Sequence, residues 1–280
     1  MQARHHIDSC WYPGTNVLVS KSEISCSIDQ GNPYDLVQAF EDAPHVELMN
    51  LSCDQDWKAF VTRWGPLGIS GIELRRGRSK MRLDWCWAFQ RRITAFSKLL
   101  GSFGKTEERA RLQQFLATAS EEAKHRDLGI HNATLNFHAF LTTDAFARQL
   151  AEQVGEEGSG LESLQCSWLE QADARAVHDA IGYLIQTTSF VSAPSLYVRT
   201  VGKRRVVMAR LGLDNLEDSL EWMIWNGYWM KKPQLFCQEC QRAFRPESAH
   251  PRKYCCNECA HRATDRAWRR KQRAKRRKLE

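Results

Sequence analysis

Apolar residues recur at the three- and four-residue spacing of amphipathic helices over much of this chain. The clearest case is the segment 82–100, where Trp85, Phe89, Ile93 and Phe96 fall at helical spacing. The ten Trp and twelve Phe residues of the chain favour a well-buried interior. The same spacing predicts further helices over 54–64, 106–123, 143–154, 171–188 and 215–230.

Alternating apolar and polar residues, the pattern of half-buried strands, occur in shorter segments of the chain. Residues 16–28 alternate in this way and are predicted to form a strand or a hairpin. A short strand is predicted over 46–51, and the alternation of 133–141 is compatible with another strand. A hairpin is predicted over 196–211, where two apolar runs flank Gly202.

These elements predict an α+β fold in which helices dominate the body and the strands are short. The last predicted helix leads into Lys231-Lys232-Pro233, and a small cysteine-containing module follows. We therefore place a domain boundary near Pro233. The body, residues 1–232, is a candidate sensing or dimerisation domain, and residues 233–280 form the module.

The composition is that of a globular protein, with 42% hydrophobic and 26% charged residues. No run of about 18 apolar residues occurs, so we expect neither a membrane span nor a membrane partner. The first 15 residues lack the apolar core of a signal peptide. We therefore expect a cytoplasmic protein, in which the ten cysteines stay reduced as buried thiols or metal ligands.

Charge is divided unevenly between the predicted body and the predicted module. Residues 231–280 hold 16 Lys and Arg against 5 Asp and Glu, a net charge of +11. The other 230 residues hold 24 basic and 28 acidic residues, a net charge of −4. This asymmetry favours a polyanion as the partner of the C-terminal part.

Five of the cysteines are clustered near the C-terminus at the spacing of a zinc site. Cys237 and Cys240 have the C-x2-C spacing with which a tight turn presents two sulfurs. Cys255 and Cys259 lie four residues apart, so they would share one face of a helix. Four such ligands complete a tetrahedron and leave no open position, which predicts one structural Zn²⁺ ion. Cys256 is an alternative third ligand, because Cys256 and Cys259 are three residues apart.

A helix rich in arginine is predicted to follow the last cysteine, because Gly and Pro are absent over 259–277. Arginines spaced along one helix face suit the phosphate backbone of a nucleic acid. Trp268 either stacks on a base or anchors this helix to the body, and anchoring is the preferred interpretation. The stripe consists of Arg262, Arg266, Arg269, Arg273 and Arg276. The full set of residues predicted to contact nucleic acid is Arg262, Arg266, Arg269, Arg270, Arg273, Arg276, Arg277 and Lys253.

A second group of basic residues precedes the segment 82–100. It either extends the nucleic-acid surface or forms a solvated loop, and the loop is the preferred interpretation. Its members are Arg75, Arg76, Arg78, Lys80 and Arg82, around Gly77.

The C-terminal residues form the pattern Cys237-x2-Cys240-x3-Phe244, followed by Arg252-Lys253-Tyr254-Cys255-x3-Cys259-Ala260-x-Arg262-Ala263. This pattern resembles the zinc finger of the CGNR/ABATE-like bacterial proteins and is similar to treble-clef fingers more widely. In that family the finger follows a mostly helical body, and its members are regarded as stress-linked transcription regulators. The resemblance therefore implies a treble-clef-like finger in a bacterial DNA-binding regulator. The family's Cys-Gly-Asn-Arg tetrad stands here as Cys259-Ala260-His261-Arg262.

The sequence offers no positive case for an enzyme. Neither HExxH nor GxSxG occurs, and the histidines have no partners at ligand spacing. The segment Gly101 to Thr106 is similar to a phosphate loop, but the loop's first glycine is replaced by Leu99 and a helix precedes it.

We therefore predict a zinc-dependent nucleic-acid-binding protein, with DNA favoured over RNA, whose body senses an effector or forms a homodimer. One alternative is an RNA-associated or protein-interaction module in which the zinc is purely structural. Another is an enzyme contained in the body, residues 1–232.

Overall fold

The computed structural model describes most of the 280 residues, and helices dominate them. It covers residues 10–31, 34–35, 42–68, 76–127, 131–154, 161–188, 195–201, 204–210, 216–230, 234–246 and 252–276. The helices are α1 (Pro44–Met49), α2 (Asp54–Trp64), α3 (Leu83–Ser102), α4 (Glu108–His125), α5 (Asn132–Thr143), α6 (Ala145–Val154), α7 (Leu161–Gln171), α8 (Ala174–Thr188), α9 (Leu216–Trp229) and α10 (Asn257–Arg276). The strands are β1 (Cys10–Trp11), β2 (Gly14–Val19), β3 (Glu23–Ile28), β4 (Tyr34–Asp35), β5 (Arg78–Arg82), β6 (Ser195–Val201), β7 (Arg204–Arg210), β8 (Leu235–Phe236) and β9 (Ala243–Phe244).

The strands pair in small antiparallel sheets, in the orders β1–β4, β2–β3–β5, β6–β7 and β8–β9. The pairing of β2 with β3 confirms the hairpin predicted over 16–28. In the third strand of that sheet, β5, Ser79 and Met81 are buried between exposed basic residues. Met81 lies opposite the fully buried Ile24 of β3. The interpretation of this segment as a solvated loop is therefore wrong for residues 78–82, which form a strand. The basic residues of this strand are its exposed positions, and their number made the sequence look like a loop.

The core is centred on α3 and α4, which pack against each other. Phe96 of α3 lies with its ring centroid 5.4 Å from Phe115 of α4 and 6.0 Å from Trp225 of α9. Phe89 and Ile93 are fully buried on the same helix. Burial of each such side chain contributes about 1.5–3 kcal/mol, so this face of α3 is a main source of stability.

Two segments predicted as strands, 46–51 and 133–141, do not form strands: residues 46–49 belong to α1 and residues 133–141 to α5. In α5, Phe137 and Leu141 are buried four residues apart, the spacing of one helix face. Leu135 belongs to the apparent alternation but is 47% exposed. The alternation is therefore accidental, and packing between helices determines the conformation of this segment.

The six predicted helices are confirmed, with ends shifted by a few residues, as α2, α3, α4, α6, α8 and α9. The sequence pattern does not predict α7, although this helix buries Trp168 and Leu169. The hairpin predicted over 196–211 is confirmed by β6 and β7, while Gly202 at its turn lies outside the described residues. Among the described helices, none is both long enough and apolar enough to cross a membrane.

A buried network of ion pairs connects α3, α4 and α9. Arg92 of α3 donates to Glu122 of α4 and to Glu221 of α9. Arg126 lies 3.0 Å from a carboxylate oxygen of Glu217 and 3.7 Å from one of Glu122. Three carboxylates therefore face two guanidinium groups, which leaves one negative charge in excess in a region with little solvent.

Candidate metal centre and basic helix

The first two clustered cysteines lie in the tight turn between β8 and β9. The backbone N–H of Cys237 donates to Arg242 O at 2.9 Å, and the N–H of Gln241 donates to Cys237 O at 2.9 Å. Gln241 has a φ of 59°, the left-handed conformation that lets the chain turn back on itself. The turn directs the sulfurs of Cys237 and Cys240 toward the same point.

The sulfurs of the second pair of cysteines meet those of the first pair. Cys259 lies in the first turn of α10, but Cys255 lies two residues before the helix begins, so the pair does not come from one helix as predicted. The Sγ atoms of Cys240 and Cys255 are 3.5 Å apart, and those of Cys255 and Cys259 are 3.7 Å apart. All four sulfurs of Cys237, Cys240, Cys255 and Cys259 lie within 4.8 Å of one another. A tetrahedral ion with Zn–S bonds of ~2.3 Å separates its sulfurs by about 3.8 Å. The cluster therefore has the dimensions of a four-thiolate metal site.

Cys256, the alternative third ligand, lies beside the cluster. Its Sγ is 3.9 Å from that of Cys255, but the group of four sulfurs that converge contains Cys255 and not Cys256. Cys256 is exposed, but so is Cys240 of the cluster, so the convergence of the sulfurs and not burial distinguishes Cys255 from Cys256. This geometry favours Cys255 as the third ligand.

The thiols of the cluster differ in their tendency to ionise. Burial disfavours the thiolate of Cys237, but the N–H groups of Cys240, Cys255 and Glu239 point at its sulfur and lower the pKa of Cys237 to about 6. Burial, together with a hydrogen bond to Cys240, raises the pKa of Cys255 to about 12. Because metals bind thiolates, metal binding here requires the release of protons.

The cysteine module is fixed to the body by a hydrogen-bonded clamp. The side-chain amide of Asn50, the residue after α1, donates to Ala243 O at 2.9 Å and accepts from Ala243 N at 2.8 Å. The amide of Gln234 lies 2.7 Å from the Nε2 atom of His45 in α1. Burial, with a smaller contribution from Arg245, lowers the pKa of His45 to about 3. His45 is therefore a neutral hydrogen-bonding group at neutral pH.

No local sequence signal indicates Asn50 or His45, since each meets its partner across more than 180 residues. The predicted boundary at Pro233 lies outside the described residues. The clamp lies between β9, in the module, and α1, in the body, so the cysteine turn is held against the body.

The arginines of the predicted stripe occupy the exposed helix α10. Arg262 lies 3.4 Å from Glu258 one turn earlier, and Arg266 is paired with Glu239 in the cysteine turn. The Arg266 contact joins the helix to the cysteine turn. No ion pair to another described residue involves Arg269, Arg270, Arg273 or Arg276, all of which are exposed. Lys253 is also exposed, and Arg277 lies outside the described residues.

Trp268 does not anchor α10 to the body, so that interpretation is wrong. Its side chain is 62% exposed, which makes it one of the most exposed large hydrophobic residues of the described chain. The residues around it on α10 are exposed as well. The aromatic ring is therefore accessible to a partner from solvent.

The second basic group is partly neutralised by acidic neighbours. Arg82 lies 2.6 Å from Asp84, and Lys80 lies 3.2 Å from Glu23. Arg76 and Arg78 are exposed at the surface, and Arg75 lies outside the described residues. Two of the five members are therefore already paired, which weakens the group as an anion-binding surface.

Comparison with known proteins gives no family assignment for this chain. It matches no protein-family model, no curated protein and no solved structure. The resemblance to the CGNR/ABATE-like finger remains a prediction from the C-terminal residues. Function is therefore inferred from the geometry and charge of the site.

Proposed function

We propose that the four clustered cysteines hold one structural zinc ion in a treble-clef-like finger, and that α10 binds nucleic acid. The observation that carries this proposal is an exposed arginine-rich helix that begins at the cysteine cluster of an otherwise mildly acidic chain. The binding activity would serve a transcription regulator, with DNA favoured over RNA.

The proposed role of the zinc ion is to fix the start of α10. Cys259 lies in the first turn of this helix and Cys255 just before it, whereas Cys237 and Cys240 come from the turn that is clamped to the body. Four protein ligands leave no position for a substrate, so the ion would supply structure and no reaction. Without it, the start of the helix would depend on weaker contacts, such as that of Arg266 with Glu239.

The proposed interface consists of the exposed arginines beyond the first turns of α10. Arg269, Arg273 and Arg276 recur at intervals of four and three residues, so they lie along one helix face. A guanidinium group forms two parallel hydrogen bonds to a phosphate, and its binding releases condensed counterions. The exposed ring of Trp268 adds a surface on which an unpaired base can stack.

The test is the salt dependence of DNA binding by the zinc-loaded chain. We expect log K to fall linearly with log salt concentration. The triple variant R269Q/R273Q/R276Q should reduce that slope by about 0.9 for every phosphate that is no longer neutralised. The matched control K58Q/K124Q/R175Q removes three exposed cations from the body. It should leave both the affinity and the slope nearly unchanged.

Three further outcomes decide against parts of the proposal. A slope near zero for the wild-type chain would contradict nucleic-acid binding through α10. Tighter binding to an RNA of the same sequence than to the DNA duplex would replace the DNA preference with an RNA preference. Retention of full affinity after zinc removal with a chelator would contradict the structural role of the ion.

A further inference from the structure

A cavity of about 540 Å³ lies where the connection between α3 and α4 meets the cysteine module. This volume is in the range of small-molecule sites. Cations from both parts of the chain line it. They are Lys98, Lys105 and Arg111 from the body, and Arg252 and Lys253 from the module.

The lining of this cavity has a strong excess of positive charge. Its one carboxylate is that of Glu107, against five cationic side chains. Among the described residues, no carboxylate forms an ion pair with Lys98, Lys105, Arg111 or Lys253. By contrast, Arg266 and Arg82 elsewhere on the surface are each paired with an acidic residue. Cations that converge on a cavity with few acidic neighbours create a site for an anion.

Lys98 holds its positive charge in an unfavourable environment, mainly because its side chain is partly buried and secondly because Arg111 is near. Its ammonium group lies 5.0 Å from the ring centroid of Phe236, and its side chain is half-buried. Burial, and secondly the guanidinium group of Arg111, lowers the pKa of Lys98. An anion placed between Lys98 and Arg111 would offset both effects.

We propose that this cavity binds the phosphate groups of a nucleotide, with cations of the body on one side and cations of the module on the other. Arg111 can donate two hydrogen bonds to a phosphate, while the lysines act as point charges. The side-chain amides of Gln238 and Gln241 line the same cavity and can bond the less charged part of the ligand.

This site differs from a phosphate loop in its geometry. The segment from Gly101 to Lys105 begins in the last turn of a helix, α3, and the ammonium group of Lys105 donates to Gly101 O. The proposed binding therefore depends on side-chain cations rather than on a cradle of backbone N–H groups. Since the ligand would contact both the body and the module, its binding would also stabilise the packing of the cysteine module against the body.

The experiment is titration of pyrophosphate and of ATP into the zinc-loaded full chain, followed by calorimetry at constant ionic strength. We expect saturable binding of both probes in the wild-type chain. The variants K105Q/R111Q in the body and K253Q in the module should each weaken binding, by about tenfold for each cation removed. The control K58Q/K124Q removes two exposed cations outside the cavity and should bind like the wild type.

The variant K105Q/R111Q changes the side of the cavity formed by the body, and K253Q changes the side formed by the module. Circular dichroism establishes that each variant is folded. Absence of saturable binding of either probe by the wild-type chain would overturn the proposal. Equal binding by the cavity variants and the control would also overturn it. The α10 variant R269Q/R273Q/R276Q should retain pyrophosphate binding, so failure of the cavity proposal is separable from failure of the proposed function.

The phosphate has two candidate sources, a free nucleotide and a nucleic-acid backbone, and competition separates them. If the cavity takes a free nucleotide, a DNA duplex and pyrophosphate bind together, and K105Q/R111Q leaves DNA affinity unchanged. If the cavity takes a backbone phosphate, pyrophosphate competes with the duplex and K105Q/R111Q weakens DNA binding. Either result supports a phosphate site and identifies its ligand.

Discussion

At the scale of single residues, Gln241 holds a backbone conformation that most side chains avoid. Its φ of 59° falls at the turn that positions Cys237 and Cys240. A residue with a Cβ atom in this region costs about 1–2 kcal/mol, and glycine avoids that cost. The cysteine turn therefore carries local strain that the rest of the fold must offset.

We expect Gln241→Gly to stabilise the zinc-loaded chain by about 1 kcal/mol, because glycine adopts a positive φ without steric cost. Urea denaturation would measure the change. Gln238→Gly, in the same turn but without a positive φ, is the matched control and should give no gain. A loss of stability in Gln241→Gly would show that its side chain contributes more than its backbone strain costs.

Cys255 and Cys256 are neighbours in the chain, but substitution of Cys255 should reduce zinc binding and substitution of Cys256 should not. Cys255→Ser removes one of four converging sulfurs, so we expect zinc content to fall well below one ion per chain and the finger to lose its fixed geometry. Cys256→Ser alters an exposed thiol outside the cluster and should retain one zinc. Atomic emission of the purified proteins measures both. The reverse pattern would make Cys256 the third ligand.

At the scale of elements, the clamp between α1 and β9 determines how firmly the cysteine module is held. Asn50→Ala removes both hydrogen bonds to Ala243 and leaves two buried backbone groups without partners. We expect a loss of about 1–3 kcal/mol and faster amide exchange in β8 and β9. Hydrogen exchange measured by mass spectrometry checks this. Gln55→Ala, at an exposed position of α2, is the control, and equal exchange in both variants would contradict the clamp.

Local sequence patterns predict the long helices, but they fail for segments whose conformation is determined by tertiary packing. The periodicity of Trp85, Phe89 and Ile93 is sufficient for α3, since the buried face is long and strongly apolar. The segment of α5 gives an accidental alternation because Leu135 is exposed. The cysteine spacing predicts the metal cluster, as its geometry is local to two short elements. The Asn50 clamp cannot be predicted, because 193 residues separate its partners.

At the scale of the whole molecule, the buried network joins helices far apart in the chain and makes stability depend on pH. Arg92 contacts Glu221 across 129 residues, so no local pattern indicates the network. Burial is the main cause that raises the pKa of Glu217 to about 7, and the nearby Glu122 and Glu221 add to it against Arg126 and Arg92. The excess negative charge in the network is thus relieved when Glu217 takes up a proton.

The sign of the resulting pH dependence follows from the raised pKa of Glu217. Its contribution to stability is fully present below the ordinary value of 4.5 and is lost as pH rises through about 7. In the variant Glu217→Gln the side chain is neutral at every pH, so two carboxylates face two guanidinium groups. We therefore expect this variant to gain stability relative to the wild type as pH rises from 5, reaching about 1–3 kcal/mol near pH 8. Urea denaturation at several pH values measures this gain, with the exposed Glu170→Gln as control. A wild-type pH profile unchanged by Glu217→Gln would mean that Arg126 keeps Glu217 ionised throughout.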